Sequence, residues 1–456
     1  MGEGNSANYC IVVKPGSRAI ALSRTADGYR LPVILVPKPF WLAGNVAELN
    51  SQLMGAFGLN CTLLRWLSRA PDTNLVLMEW HPGSAFPETG IEWLDPLGAT
   101  PPLPAPELQM IRDWQSSSTA GLPPWEQPGW MRQIVFRLIR IFDGVHHPKL
   151  TTLLQFKAAW GMSTLMLIET SKGNFFFKAG IRQGVEEYDV LRFLHGRFPR
   201  YVRDPYLVDE REGWMISKGI EHMTSTEGDY ANAEAAFRIY GEIQLGCDEF
   251  MRSEKAKDLR IRDASWLNRH FERLFSGADC PAEFAQAVSS QPVEQLGSLR
   301  ETWARQIDEL STSRLPLTFN QEDFHFDNVL NTGEGPVFID WADCAKSHPF
   351  FSVHRALTLW RWEDPEHYES VKDRVIDGYL DRFSHLASSE ELKAEFELAG
   401  QLSRLYQAFL WQERSHELNH ESAWGSFCFD RAALLMKRAI QKGTETGGNN
   451  RYLGSE

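Results

Sequence analysis

Two aspartates and an asparagine carry the first chemical signal. The run Asn320-Gln321-Glu322-Asp323-Phe324-His325-Phe326-Asp327-Asn328-Val329-Leu330 sets Asp323 and Asn328 five residues apart. A strand-like segment, VFID, then ends at Asp340. Two carboxylates and an amide that bracket a hairpin can converge on one point. Oxygen ligands of this kind suit magnesium carrying a nucleotide. An Asp, an Asn five residues on and an Asp closing a strand make the catalytic-loop and metal-binding layout of a kinase.

Two further residues precede that run. In FKAAWGMSTLMLIETSKGNFFFKA, residues 156–179, two β-rich stretches flank Ser171-Lys172-Gly173, a hairpin signal. Lys178 closes the second stretch. A lone lysine on a strand is ordinarily a solvated or snorkelling residue. Gly161-Met162-Ser163 opens the first stretch, and a small tight turn there lets backbone N–H groups approach phosphates. The next segment, VEEYDVLRFLHGRFP, is expected to be a helix that buries Val190, Leu191 and Leu194. Glu187 lies on or beside that buried side, where an acid needs a cationic partner, and Lys178 is the natural candidate.

The elements that position these groups belong to an ordinary globular chain. It has 456 residues, 43% hydrophobic, 23% charged and 12% aromatic, which excludes a disordered, collagen-like or coiled-coil whole. A net charge of −13 repels phosphate backbones, so nucleic acid is not an expected partner. No apolar run approaches the roughly 20 residues of a membrane span, so no membrane partner is expected. The opening MGEGNSANYC has neither a basic nor an apolar signal region, so no secretory signal is expected. Six scattered cysteines without CxxC exclude a disulfide scaffold and a thiolate zinc site, and suit a cytoplasmic protein.

Composition divides the chain into four segments. Residues 1–81 alternate strand-like and helix-like stretches: YCIVVK and RAIALSR as a hairpin around Pro15-Gly16, a helix over 45–57 stopped by Gly58, then CTLLRWL and NLVLMEW as strands. Residues 82–129 are rich in proline and glycine and read as an irregular connection. Trp93, Trp114 and Trp125 in it argue for a docked segment. Residues 130–220 begin with an amphipathic helix, Trp130 to Phe142, expected to dock onto the next domain. Residues 221–456 hold the catalytic run. Residues 51–59, SQLMGAFGL, resemble the Nudix box in their apolar and glycine positions only. Gln52, Gly55 and Ala56 stand where that family has magnesium-binding carboxylates, so the front block is either a catalytically dead Nudix-like α/β domain or an unrelated small α/β domain.

Residues 150–440 resemble the aminoglycoside phosphotransferase and choline kinase superfamily. Its H-G-D-x-H-x-x-N motif is matched in register by Asp323, His325 and Asn328, and its I-D-apolar motif by Ile339-Asp340-Trp341. EEYDVLRFLHGRFP resembles the family's Glu-bearing helix, Gly161-Met162-Ser163 its nucleotide loop and Ser217-Lys218-Gly219 its adenine hinge. The resemblance implies an α+β, protein-kinase-like bilobal domain with an antiparallel-sheet N-lobe and a mostly helical C-lobe. No A-P-E segment follows Asp340, which disfavours a protein kinase.

What the resemblance implies is transfer of the ATP γ-phosphoryl group to a hydroxyl of a small molecule. Lys178 would hold phosphates with Glu187 orienting it, and Ser163, Ser217 and Gly219 would line the nucleotide site. Asn328 and Asp340 would bind Mg2+, and Asp323 would accept the hydroxyl proton or orient the nucleophile. Gln321, Glu322 and Ser352 depart from the family's histidine, glycine and second aspartate; they are expected to brace the loop. Glu413, Glu417 and Glu421 fall on one helical face beside Trp411 and Trp424. That face is either a site for a cationic amino alcohol or aminoglycoside-like acceptor, or a solvated acidic surface. The rival reading is a pseudokinase-type module that binds nucleotide or a partner without turnover.

Overall fold

The computed structural model describes residues 5–37, 46–69, 73–82, 90–96, 98, 103–117, 119, 121–159, 162–181, 184–221, 232–417 and 423–444. The chain divides into two compact units. The first is Met1–Ile181, Tyr206–Gly219 and Ser422–Trp424; the second is Arg182–Pro205, Ile220–Glu421 and Gly425–Glu456.

The first unit opens with β1 (Asn5–Val13) and β2 (Ile20–Thr25), paired antiparallel with Val13 opposite Ile20. The turn between them contains Gly16 at φ 77°, which a side chain would resist. β3 (Gly28–Arg30), β4 (Val33–Pro37), helix α1 (Val46–Phe57), β5 (Cys61–Arg69), β6 (Thr73–Trp80) and β7 (Ile91–Leu94) follow. The sheet runs β3-β2-β1-β6-β5, with β4 beside β1 and β7 beside β2. Its β1–β6 pair is parallel. α1 buries Val46, Leu49 and Leu53 against Cys10, Val76 and Met78 of the sheet.

The proline-rich stretch is more regular than its composition suggests. Besides β7 it holds a helix, α2 (Ala105–Ser116), and a 3-10 turn, Pro124–Glu126. Prolines at the start of α2 cost nothing, because first-turn N–H groups have no helical acceptor. Trp125 is buried and Trp114 packs against the same core. Trp93 meets Trp80 edge-on at 5.7 Å. The segment is docked, as its tryptophans argue.

α3 (Trp130–Phe142) buries Met131, Ile134, Leu138 and Phe142. Its N-terminus is capped from the front sheet. The fully buried Glu79 of β6 accepts hydrogen bonds from the N–H groups of Gly129 and of Arg132, the latter at 2.7 Å. Five strands complete the unit: β8 (Leu150–Ala159), β9 (Ser163–Thr170), β10 (Gly173–Gly180), β11 (Pro205–Asp209) and β12 (Trp214–Lys218), in the order β11-β12-β10-β9-β8. The β8–β9, β9–β10 and β10–β12 pairs are antiparallel. The expected hairpin turns at Ser171-Lys172, with Thr170 opposite Gly173. One core spans both sheets: Ile11, Leu22 and Leu77 from the front, Ile134 and Leu138 from α3, and Ile168, Phe175, Phe177 and Ile216 from the second sheet. Gln155 of β8 reaches Leu63 of β5 as a strand partner would. Its amide accepts from the Leu63 N–H at 2.6 Å and donates to the Leu63 carbonyl at 2.8 Å.

The second unit is mostly helical. Its elements are α4 (Glu187–Arg197), α5 (Ala233–Leu245), α6 (Asp248–Met251), β13 (Arg260–Arg262), α7 (Ala264–Leu274), α8 (Ala282–Ser289), α9 (Val293–Ser311), β14 (Thr318–Gln321), β15 (Val329–Thr332), β16 (Gly335–Phe338), β17 (Cys344–Ser347), α10 (Phe350–Glu363), α11 (Pro365–Leu380), α12 (Ser389–Glu417) and α13 (Ala423–Thr444). Short strands order β13-β17-β14, and β15-β16 form the hairpin between Asn328 and Asp340. The fold is α+β, with an antiparallel N-lobe sheet and a mostly helical C-lobe. Among the described residues no helix is long and apolar enough to cross a membrane.

Candidate active site

The β15–β16 hairpin folds its two ends together. The Ile339 N–H donates to the carbonyl of Asn328 at 3.0 Å, so Asp340 leaves the hairpin beside Asn328. Asp340 has φ 60°, the one non-glycine residue at positive φ among the described residues. Aspartate tolerates this conformation better than most side chains, and such strain persists where its surroundings enforce it. Gln321 enforces it here. Its Nε2 donates to the carbonyls of Ile339 at 2.6 Å and Asp340 at 2.7 Å. The Trp341 N–H donates to Glu187 Oε1 at 3.1 Å, which ties the start of α4 to the same turn.

Asp323 sits between β14 and a 3-10 turn, Phe326–Asn328. Its Oδ1 accepts from Arg355 of α10, and its Oδ2 lies 3.5 Å from His325 Nε2. The Asn328 amide donates to the Asp323 carbonyl at 2.9 Å. That bond turns the Asn328 NH2 inward and leaves its Oδ1 as the atom able to hold a cation, with the Asp340 carboxylate next in the chain's path. Two such oxygens fit a hard divalent ion. Burial pushes the Asp323 carboxyl up, but the Arg355 guanidinium, His325 and the more distant Arg414 outweigh it and hold it well below the usual carboxylate range. Burial pushes the His325 imidazole down, and the adjoining Asp323 more than restores it, raising it above its ordinary value. Asp323 is therefore a firmly ionised carboxylate, better suited to orienting a hydroxyl than to holding its proton.

In the first unit, strand alternation sorts β10. Phe175, Phe177 and Ala179 enter the shared core, and Lys178 points to the opposite face. Cross-strand pairing adds to that face. Ser163 is opposite Gly180, and Ser217 is opposite Phe176. The sheet thus brings Lys178, Ser163 and Ser217 to one side. The Gly219 N–H donates to the Asn174 carbonyl at 2.7 Å, and a Cβ at Gly219 would meet that oxygen at 2.8 Å, so close backbone approach requires the glycine. Lys178 belongs to the first unit, and Glu187, Asp323, Asn328 and Asp340 to the second. Gly161 of the expected nucleotide loop lies outside the described residues.

The sequence departures at the loop have structural partners. Ser352 donates to Asn320 Oδ1 at 3.0 Å, directly before Gln321. Glu322 is buried and accepts from Ser347 at 3.0 Å and Tyr406 at 2.8 Å, with Arg262 3.9 Å away. Arg262 also pairs with Glu413 at 3.0 Å. This corrects the reading of the acidic face. Glu413 accepts from Trp266 Nε1 at 2.6 Å as well, and Glu417 pairs with Arg260 at 2.5 Å. Glu413 is thus committed to partners of its own unit, while Glu417 stays exposed on the surface with Arg260 beside it. Glu421 and the Trp424 side chain lie outside the described residues. Sequence reasoning missed Arg355, the direct partner of Asp323. Its signal is an arginine three residues after Ser352, one helical turn along α10.

The model of the APH family, described as the phosphotransferase enzyme family, matches residues 177–405. No curated protein matches the chain. Among solved structures, the chain is similar to a candidate aminoglycoside phosphotransferase of Ralstonia eutropha JMP134, at 12% identity over 68% of this chain and 97% of that one, with a TM-score of 0.47. It is similar to a choline kinase of Cryptosporidium parvum Iowa II at 12% identity over 69% and 97%, with a TM-score of 0.42. A choline/ethanolamine kinase family protein of Mesorhizobium loti matches at 13% identity over 65% and 93%, with a TM-score of 0.38. The matched segment runs from Phe177, beside Lys178, through the Asp323–Asn328 loop and the turn at Asp340 into α12, half of the chain, and the chain belongs to the phosphotransferase enzyme family.

Proposed function

We propose that the chain transfers the γ-phosphoryl group of ATP to a hydroxyl of a small molecule. One observation carries the reading: the turn at Asp340, held at positive φ by Gln321, is joined through the Ile339 N–H to Asn328, whose side-chain amide binds the Asp323 carbonyl. Lys178, Ser163, Ser217 and Gly219 would hold the nucleotide. Asn328 and Asp340 would hold Mg2+, which neutralises charge on the transferring phosphoryl group when bound. Asp323 fixes the acceptor hydroxyl by accepting its hydrogen bond, and Arg355 fixes Asp323. The hydroxyl oxygen forms a bond to the γ-phosphorus. The bond to the bridging oxygen breaks, and ADP leaves with the electron pair. The proton passes through Asp323 to solvent, in keeping with a carboxylate that binds protons weakly.

Slow MgATP turnover without acceptor, in wild type and Asp323→Ala, tests this. The variant should lose on the order of 10²–10⁴ in rate and still bind MgATP. Equal rates in both would remove Asp323 from the chemistry. Nucleotide binding with no turnover in wild type would favour a binding module.

A further inference from the structure

The helical unit contains a hollow between α10, α12 and α13 whose charge opposes that of the chain. Its walls include Arg355, Arg404, Gln407, Arg431 and Arg438. Among the described residues, four arginines line it and no aspartate or glutamate does. A second hollow shares His354, Thr358, Ser403 and Arg404 with the first and adds Arg361 and Lys442 against a single acid, Glu397. The cavities measure about 80 and 350 Å³, room for one small molecule and not for a polymer. Arg438 and Lys442 have no ion-pair partner among the described residues.

Such clustering is not a by-product of composition, because the whole chain carries −13. Arg355 is already paired with Asp323 and Arg361 with Glu369, so the charge an anionic ligand would meet is chiefly that of Arg438 and Lys442. Arginine forks match carboxylate and phosphate oxygens in pairs. The hollow is also in the right place. Arg355, in its wall, donates to Asp323, and Arg355 also donates to Gln407, another wall residue, at 3.4 Å. Arg355 is thus the residue through which the hollow adjoins Asp323, which does not itself line it. The carboxylates that could have held a cation instead, Glu413 and Glu417, are taken by Arg262 and Arg260.

We infer that this hollow is the acceptor subsite and that the acceptor is a small anionic alcohol, bearing a carboxylate or a phosphate besides its reacting hydroxyl. The inference rests on the phosphotransferase reading above. The hydroxyl of that compound is the one that displaces ADP, and the arginines hold its anionic end.

Full-length protein with MgATP is given D-glycerate or glycerol 3-phosphate, and in parallel glycerol or ethanolamine. ADP release should rise above the acceptor-free rate with one of the anions, and the pair tells carboxylate from phosphate. Arg438→Glu should raise KM for that anion by roughly 10- to 100-fold, the weight of one charged hydrogen bond, with a smaller change in kcat. Arg438→Lys should recover part of the loss. Stimulation by ethanolamine or glycerol alone would overturn the anionic class and leave the phosphotransferase reading intact. An anion KM untouched by Arg438→Glu would overturn the site. Absence of turnover under every condition would count against the phosphotransferase reading. The hollow is then read by calorimetry with glycerol 3-phosphate: heat lost in Arg438→Glu supports an anion site, and no heat in wild type overturns it.

Discussion

The side-chain amide of Gln321 lies 2.7 Å from the carbonyl oxygen of Asp340 and 2.6 Å from that of Ile339. One neutral side chain thereby fixes the turn that carries a candidate metal ligand. The motif that this loop resembles has a histidine at the position, and the job Gln321 performs needs only a donor. Two N–H groups on one nitrogen supply two.

Gln321→Ala should leave both carbonyls without that donor and let Asp340 relax from φ 60°. A misplacement of about 1 Å at such a position costs on the order of 10²-fold in rate. Turnover of MgATP is the readout. Gln321→His should retain more activity than the alanine variant. Equal rates for wild type and Gln321→Ala would show that the brace is dispensable.

Asp340→Asn and Asp340→Ala separate geometry from charge. Asparagine also tolerates the left-handed region, so its variant should melt near wild type yet lose magnesium-dependent turnover. Alanine at φ 60° carries a strain of about 1–2 kcal/mol, so that variant should melt lower as well. Paired thermal melts and turnover measurements distinguish the two. An asparagine variant with full activity would remove Asp340 from metal binding.

Glu413 gives a pH dependence. Burial pushes its carboxyl up, but His270, the Arg262 charge and the Trp266 N–H outweigh burial and bring it down to about 2, from an ordinary 4.5. A carboxylate depressed on folding contributes stability that is whole above its unfolded value and is lost as pH falls through its folded one. Stability from this group should therefore hold above pH 4.5 and drain away toward pH 2. Glu413→Gln should flatten that slope in urea titrations across the same window. Coincident slopes would show that the Arg262 pair does not contribute.

Gln155 links the two sheets of the first unit. Gln155→Leu keeps the volume and strands the N–H and carbonyl of Leu63 in a buried place. Each unsatisfied group costs about 1–3 kcal/mol, so the unfolding midpoint should drop by an amount equivalent to roughly 2–4 kcal/mol. An unchanged midpoint would mean that Leu63 finds another partner.

What was legible in the sequence was local. Asp323, Asn328 and Asp340 lie within one short run, and strand alternation alone sorts Lys178 from Phe175 and Phe177. Partners distant in the chain were not legible. Arg355 is 32 residues from Asp323, Arg262 is 151 from Glu413, and Gln155 is 92 from Leu63. Periodicity reports which face a residue occupies and not what stands opposite. The acidic row on α12 shows the difference. Its spacing does place Glu413 and Glu417 on one helical face, but their chemistry depends on two arginines of β13 that no helical pattern announces. Glu322 is the residue that connects these observations, because the same Arg262 serves both it and Glu413.

The core that runs from Ile11 through Leu138 to Phe177 has no seam. The back of the strand bearing Lys178 is therefore the front block itself, and a chain begun at residue 130 would leave Ile168, Phe175 and Phe177 without their cover. Such a fragment would present a wide apolar surface to water and self-associate. The front block and the strand of Lys178 also answer to each other over evolutionary time. A change of volume at Leu22 or Leu77 must be absorbed across the sheet, so the inward faces of both halves are free to drift only together, while their outward faces can diverge independently.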